Sequence, residues 1–292
     1  MKYRRLGRTE LQVSAVSLGG AYLMGPDPGR ALENTVAVVE RALDLGINYV
    51  DTAPLYGQSE ELLGRALGRL GTRPHVATKV GFDPQGFDYR RDSVLRSLER
   101  SLRRLGLERL AVAQIHEANI PGWERILEPG GTLEGLREAQ ARGLCHWIGV
   151  TGRAIPLMAG LAATGEFDTV LVYHDYHPGS QLAARTVIPA AAAQDMGILV
   201  GTPLAGGLYV EGAAQEAALA RLADDSERAH TVGILRQLRL QQGTLPQQAF
   251  RYILADPRVS TVSSGASSPE ELTEVAAAAS MEPLKLEEAR QN

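Results

Sequence analysis

The chain predicts a closed (β/α)8 barrel with an N-terminal β-hairpin, in one domain over residues 1–292, and three observations carry that expectation. Short apolar strand patterns alternate with amphipathic helical patterns along the whole sequence. The length of 292 residues suits one such barrel, which typically takes about 250 residues before extensions. The competing fold, a doubly wound open sheet, lacks its early G-x-G-x-x-G turn: Gly19-Gly20 and the glycines from Gly64 to Gly71 have neither the spacing nor the context.

In order, Tyr3–Leu6 and Leu11–Val13 flank Gly7-Arg-Thr-Glu and read as a short hairpin, a cap for the remainder of the chain. Val16–Leu18 is a strand ending at Gly19-Gly20, and from Asn34 to Leu45 the residues Val36, Val39 and Leu43 share one helical face that stops at Gly46. Tyr49–Asp51 follows, then a helix N-capped by Ser59, with Glu60 and Glu61 in its first turn and Gly71 ending it. The third strand, Val76–Lys79, leads through a Gly/Asp/Pro-rich loop to a helix capped by Asp92. Leu110–Ile115 is the fourth strand, Glu117–Gly131 a long loop carrying Trp123, and Thr132–Ala141 a helix. Strand His146–Val150, helix Pro156–Ala163, strand Thr169–Tyr173, a helix around Ala183–Gln194 and strand Ile198–Thr202 continue the alternation. The longest insertion, 204–242, holds polar helices near Ala214–Leu222 and Val232–Leu240. Leu245–Ala255 is amphipathic, Val259–Val262 is the eighth strand, and Ser268–Ala279 the last helix. Right-handed crossovers with helices outside close such an alternation into a barrel.

Charge is balanced, 30 basic against 34 acidic residues for a net −4, so no basic field points to nucleic acid or to an anionic membrane surface, and a small molecule is the expected partner. One cysteine, Cys145, excludes an internal disulfide framework. With neither a leader pattern nor an apolar run of about 18 residues, the expectation is a cytoplasmic protein. The only lysines are Lys2, Lys79 and Lys285. Arginine does not release a proton near neutrality, whereas a desolvated lysine shifts its pKa readily, so Lys79 inside an apolar strand stands out.

The stretch Asp51-Thr-Ala-Pro-Leu-Tyr56-Gly57 places an acid and a phenol at a strand end, where Pro54 and Gly57 turn the chain. Polar turns after strand ends build sites. Lys79 closes the third strand and His116 follows the fourth, so in a barrel Asp51, Tyr56, Lys79 and His116 share one rim. Singly, each has an ordinary structural reading as a cap, a packed ring, a surface ion pair or a loop contact. Together they form an acid/base set: an ammonium beside a phenol stabilises the phenolate and lowers a pKa that starts at about 10, and Asp51 keeps the ammonium charged and aimed. His174-Asp175-Tyr176-His177 reads as a polar loop over the barrel mouth; with no ligand-like spacing there or at Cys145-His146, no metal is expected.

The segments Asn48–Glu60, Ala77-Thr-Lys-Val80, Gln114-Ile-His116, Trp147–Gly152, Gly201–Leu208 and Ser264–Leu272 resemble those of the aldo-keto reductase superfamily, over nearly the whole chain. The resemblance implies a barrel that holds an extended nicotinamide cofactor without a Rossmann fold. It implies Tyr56 as proton donor or acceptor, tuned by Lys79 and Asp51, with His116 bonding to the carbonyl or alcohol. It places the cofactor along Gly20, Thr151, Tyr173, Thr202, Pro203, Leu204, Gly206, Ser264, Gly265, Ala266, Ser267, Ser268 and Glu271. Tyr22, Leu23 and Trp123 are candidates for a substrate pocket, with Phe87 weighed against ordinary loop packing.

Within the superfamily the chain looks most like the aldose and galactose dehydrogenase branch, through Ile148-Gly-Val-Thr-Gly152 and Val172-Tyr-His-Asp-Tyr176. The usual Asn and Gln that hold the carboxamide are replaced by Gly152 and Leu171, and the usual aromatic platform by Gly201, leaving Tyr173 or backbone to hold the nicotinamide. The reaction implied is NAD-linked oxidation of an aldose. The alternatives are an NADPH-dependent aldehyde or ketone reductase and a catalytically weak, cofactor-binding redox-sensing subunit. NAD is expected over NADP because Ala266–Glu271 carries no Lys or Arg, and Glu271 falls where many NADP-using members place an arginine. Ser268-Pro-Glu-Glu271 also reads as a capping box in which Glu271 bonds back to the Ser268 amide. Arg228 or Arg236 would be the outside sources of a cation.

Overall fold

In the computed structural model, which describes residues 1–222 and 224–286, the chain opens with an antiparallel hairpin, β1 (Tyr3–Arg5) and β2 (Gln12–Ser14). Three strands of a parallel barrel follow, β3 (Val16–Gly19), β4 (Tyr49–Asp51) and β5 (His75–Val80). A separate antiparallel pair comes next, β6 (Phe82–Asp83) and β7 (Gly86–Phe87). The barrel is completed by β8 (Leu110–Ile115), β9 (Cys145–Gly152), β10 (Thr169–Tyr173), β11 (Gly197–Gly201) and β12 (Thr261–Ser264), which closes back on β3. The expected eight-stranded parallel barrel is what forms.

Helices cover it: α1 (Ala31–Asp44), α2 (Ser59–Leu70), α3 (Arg91–Leu105), α4 (Gly122–Leu127), α5 (Thr132–Ala141), α6 (Ile155–Ala163), α7 (Leu182–Arg185), α8 (Val187–Ala193), α9 (Ala213–Ala220), α10 (Asp225–Arg239), α11 (Leu245–Leu254) and α12 (Pro269–Ala277). In α3 the buried Val94, Leu95, Leu98, Leu102 and Leu105 form the stripe that a 3.6-residue period requires against the barrel, and left-handed Gly106 ends the helix.

Several boundaries differ for local reasons. Ser59 does not cap α2: its hydroxyl donates to the Gly20 carbonyl at 2.7 Å and meets the Thr52 hydroxyl at 2.8 Å, tying two strand exits to that helix. Asp92 lies in the first turn of α3, whose N-cap is the extended Arg90, held by the Asp88 carboxylate. The 117–131 loop contains α4, whose Ile126 reaches the core. The helix expected around 183–194 is broken at Thr186, where φ is −134° and ψ −72°.

The hairpin decides which end of the barrel can carry chemistry. Leu6 and Val13 are fully buried and join Tyr49, Val112, Leu171 and Leu199 in one apolar cluster. The hairpin is pinned at the amino ends of strands: Ser14 N donates to Asn48 Oδ1 at 2.8 Å, just before β4, and Arg4 Nη1 to the Val259 carbonyl at 2.7 Å, just before β12. With the amino end plugged, side chains at the carboxyl ends face the accessible mouth.

Candidate active site

β4, β5 and β8 are neighbours in parallel register, Asp51 opposite Ala77 and Lys79 opposite Gln114. Side chains that alternate along each strand therefore meet inside the barrel just below its mouth. The Lys79 ammonium donates to Asp51 Oδ2 at 2.5 Å and to the Thr52 carbonyl at 3.0 Å. Gln114 Nε2 donates to Asp51 Oδ1 at 2.6 Å. Sequence reasoning passed over Gln114, although its place two residues before His116 puts it on the same inward face. Lys79 Nζ lies 4.7 Å from the Tyr56 ring centroid, and the Tyr56 and His116 rings meet edge to face with centroids 5.7 Å apart. All four expected acid/base residues line one cavity of about 710 Å³.

Burial sets the proton affinities. It raises the Tyr56 pKa above the usual phenol value; Lys79 opposes this, and Asp51 and Glu117 add to it. The sequence suggested a net lowering by Lys79, but desolvation of the phenolate is the larger effect. For Lys79, burial works against the charge, but Asp51 and Tyr56 outweigh it and hold the ammonium protonated. His116 is pushed down to about 3, by burial first and the Lys79 charge second. Its imidazole is neutral at physiological pH and can donate one N–H without adding charge.

This neutrality has a consequence for stability. His116 and the equally buried His177, pushed down to about 4 by burial and by His174, refuse a proton that the unfolded chain accepts below about pH 6.5. Folded pKa values below the unfolded one mean that stability is complete above about pH 6.5 and is lost as pH falls toward about 4 and 3. The slope approaches about 1.4 kcal/mol per pH unit for each imidazole. Urea midpoints measured from pH 7 to 4 should decline, and less steeply in His177→Gln; an equal slope in that variant would show that His177 is protonated in the folded chain.

Of the residues expected along the cofactor, Gly20, Thr151, Tyr173, Thr202, Pro203, Leu204, Gly206, Ser264, Gly265, Ala266, Ser267 and Glu271 line this same cavity. Ser268 stands behind it as the N-cap of α12, its hydroxyl accepting from Glu271 N at 3.3 Å. Glu271 does not bond back to the Ser268 amide: its Oε2 accepts from Ser267 N at 2.7 Å and Ser267 Oγ at 3.0 Å, one residue earlier. Tyr22 lines the mouth and is 63% exposed. Leu23 does not: it is fully buried, its carbonyl accepting from Asn34 and Thr35 at the start of α1. Trp123 is also absent from the lining; its ring lies over α6, 3.1 Å from where a Cβ on Gly160 would stand. Phe87 stacks on Tyr89 and is not among the residues that line the cavity.

Three non-glycine residues just after strand ends, Glu117, His174 and Thr202, have left-handed φ of 51°, 64° and 51°, and all three line the cavity. Such residues cost roughly 1–3 kcal/mol each and cluster at functional sites. Gly201 pairs with Tyr173 across β10 and β11, and a Cβ at Gly201 would lie 3.2 Å from the Tyr173 Cβ. Tyr173 thus fills the room that a side chain at position 201 would need.

The cavity suits an extended dinucleotide. It runs from Tyr56 past the 202–207 turn to the amino end of α12, where the helix dipole favours an anion. In its wall, Thr151 Oγ1 is buried and meets no hydrogen-bond partner among the described residues.

A closed parallel barrel whose carboxyl mouth gathers an acid, a phenol, an ammonium and a neutral imidazole is the framework of a carbonyl–alcohol oxidoreductase. A model of the aldo/keto reductase family matches residues 15–291, and the chain belongs to that family of NAD(P)-dependent oxidoreductases. It is 29% identical to L-galactose dehydrogenase of Arabidopsis thaliana, over 99% of this chain and 91% of that protein. It is 28% identical to L-glyceraldehyde 3-phosphate reductase of Escherichia coli, over 94% of this chain and 86% of that one. The holo form of an aldo-keto reductase from Bacillus halodurans superposes with a TM-score of 0.79 at 26% identity, covering 98% of this chain and 93% of the other.

Proposed function

We propose that the protein is an aldose dehydrogenase that uses NAD in preference to NADP, with Tyr56, Lys79, Asp51 and His116 as its acid/base machinery. The observation that carries this is Tyr56 held against a buried, charged Lys79 in the wall of a cavity that also reaches α12. Full-length similarity to L-galactose dehydrogenase supports the substrate class. When bound, a nicotinamide takes or gives the hydride at the carbon being oxidised or reduced. The chain's own residues manage the proton. In oxidation, Tyr56 Oη takes the hydroxyl proton as the C–H bond breaks, so charge does not accumulate on oxygen. Lys79 stabilises the phenolate that takes it, and Asp51, with one oxygen on Lys79 and the other on Gln114, fixes the ammonium in place. His116 donates to the same substrate oxygen as a neutral group. Thr151, Tyr173 and the 202–206 turn would hold the nicotinamide half, and the 264–268 turn the adenosine half. Tyr22 borders the substrate at the mouth.

The alternative, a reductase of small aldehydes, draws on the similarity to L-glyceraldehyde 3-phosphate reductase. Rates with a panel of aldoses and aromatic aldehydes, followed at the nicotinamide absorbance in both directions, separate the two. Turnover confined to aromatic aldehydes would sink the aldose reading. Cofactor binding without turnover on any of them would favour a redox-sensing subunit.

NAD preference rests on charge. A 2′-phosphate calls for donors and a cation, yet the described cavity lining contains no arginine, and Lys79, its one lysine, is committed to Asp51. At the α12 end the Ser267 amide and hydroxyl are already taken by Glu271, a carboxylate that would repel the phosphate. Catalytic efficiency should be higher with NAD than with NADP by about tenfold, roughly the worth of one charged contact. An advantage for NADP would mean that an arginine reaches in from elsewhere, and Arg41, whose Nε donates to Thr273 on α12 at 2.8 Å, would be the first to replace.

A further inference from the structure

Glu117 follows His116 at the exit of β8, and nothing in the proton chemistry above uses it. Its φ of 51° is left-handed although it is not glycine, a conformation that persists only where its surroundings fix it. They do so on both sides. His116 N donates to the Val80 carbonyl at 2.9 Å, Ala118 N to the Thr151 carbonyl at 2.9 Å, and Ile120 N to the Glu117 carbonyl at 2.8 Å. The result is a half-buried carboxylate in the wall of the cavity that holds Tyr56.

The Tyr173 hydroxyl donates to that carboxylate, 2.5 Å from Oε1 and 2.6 Å from Oε2. A single O–H shared by both oxygens leaves acceptor positions open, because a carboxylate offers about four. Lys79 is paired with Asp51 at 2.5 Å, and the Arg153 guanidinium lies over the Tyr173 ring, 6.0 Å from its centroid. Glu117 and Tyr56 line the same cavity, so a substrate held against the phenol lies within the space that the carboxylate borders.

We propose that Glu117, aimed by Tyr173, is a specificity residue whose carboxylate accepts a hydrogen bond from a substrate hydroxyl, favouring neutral polyhydroxylated substrates over hydroxyl-free and anionic ones. The inference rests on the aldose reading above and deepens it. A substrate without hydroxyls covers the carboxylate and leaves an acceptor unpaired. A phosphorylated substrate brings like charges together where water screens them poorly.

Glu117→Gln keeps the shape and removes the charge. Wild type and variant are compared by kcat/KM for galactose, benzaldehyde and glyceraldehyde 3-phosphate, and by equilibrium binding of galactose to the NAD-loaded protein. The galactose-to-benzaldehyde ratio should fall about tenfold or more, the loss expected for a hydrogen bond to a charged group. The ratio of glyceraldehyde 3-phosphate to galactose should rise by a similar factor. Tyr173→Phe, which keeps the ring proposed to border the nicotinamide and removes the hydroxyl that aims the carboxylate, should raise KM for galactose more than it lowers kcat, with the dissociation constant for NAD measured alongside to separate any effect on the cofactor. Ratios within about twofold of wild type in Glu117→Gln overturn the proposal. If Glu117→Gln does not fold, Glu117→Asp, which withdraws the carboxylate by one methylene, is judged by the same ratios. If the wild type turns over none of the three, the aldose dehydrogenase reading falls, and the binding measurement decides on Glu117 alone: weaker galactose binding in the variant supports the proposal and equal binding overturns it.

Discussion

Tyr56→Phe is expected to lower turnover by roughly 10²–10⁴, the worth of a positioned general acid or base, while fold and cofactor affinity stay close to wild type. The ring is half-buried and its edge-to-face contact with His116, centroids 5.7 Å apart, needs no hydroxyl. Removing the hydroxyl therefore takes away the proton acceptor with little packing change. Initial rates in both directions, with the cofactor dissociation constant from intrinsic fluorescence, test this. Loss of cofactor binding together with rate would mean that the phenol shapes the cofactor site, and near-normal turnover would take Tyr56 out of the mechanism.

Lys79→Met is expected to be costly in two separable ways. Lys79 and Asp51 are both buried, and removing the ammonium leaves Asp51 with Gln114 as its remaining side-chain donor. Breaking one side of a buried pair costs about 3–5 kcal/mol, so chemical denaturation should show a loss of that order. Lys79→Met/Asp51→Asn should recover part of it, because no unpaired charge remains. For catalysis, burial already holds the Tyr56 pKa above the usual phenol value, and Lys79 is the first effect working against that rise. Without it the pKa goes higher still. The base-requiring limb of alcohol oxidation then moves to higher pH, and carbonyl reduction, which needs the protonated phenol, stays active to higher pH by the same shift. A pH profile of oxidation identical to wild type would make Lys79 a structural residue only.

Much of the site was legible because it depends on local order. Asp51 and Lys79 sit on strands whose apolar pattern is unbroken, and Tyr56 and His116 just beyond strand ends, so a barrel puts all four at one rim without any knowledge of side-chain direction. Leu23 and Trp123 failed because membership of the loop next to a mouth does not say which way a side chain turns. Leu23 goes into the core, where its carbonyl anchors α1, and Trp123 is carried by α4, which the Gly/Pro-flanked loop concealed, onto Gly160. The net direction of the Tyr56 pKa was likewise out of reach, since it turns on the degree of burial as well as on the neighbouring ammonium.

By itself, the sequence determined the barrel, its hairpin plug and the gathering of Asp51, Tyr56, Lys79 and His116 at one mouth, since strand and helix periods and strand-end positions are properties of short stretches. Only the tertiary structure decided that Tyr173 stands beside Gly201, that its hydroxyl meets Glu117, 56 residues away in the chain, and that Glu271 closes on Ser267. Those contacts are set by the stagger of adjacent strands and by left-handed backbone at the loop entries. Both depend on packing between segments far apart in sequence, and no local pattern encodes them.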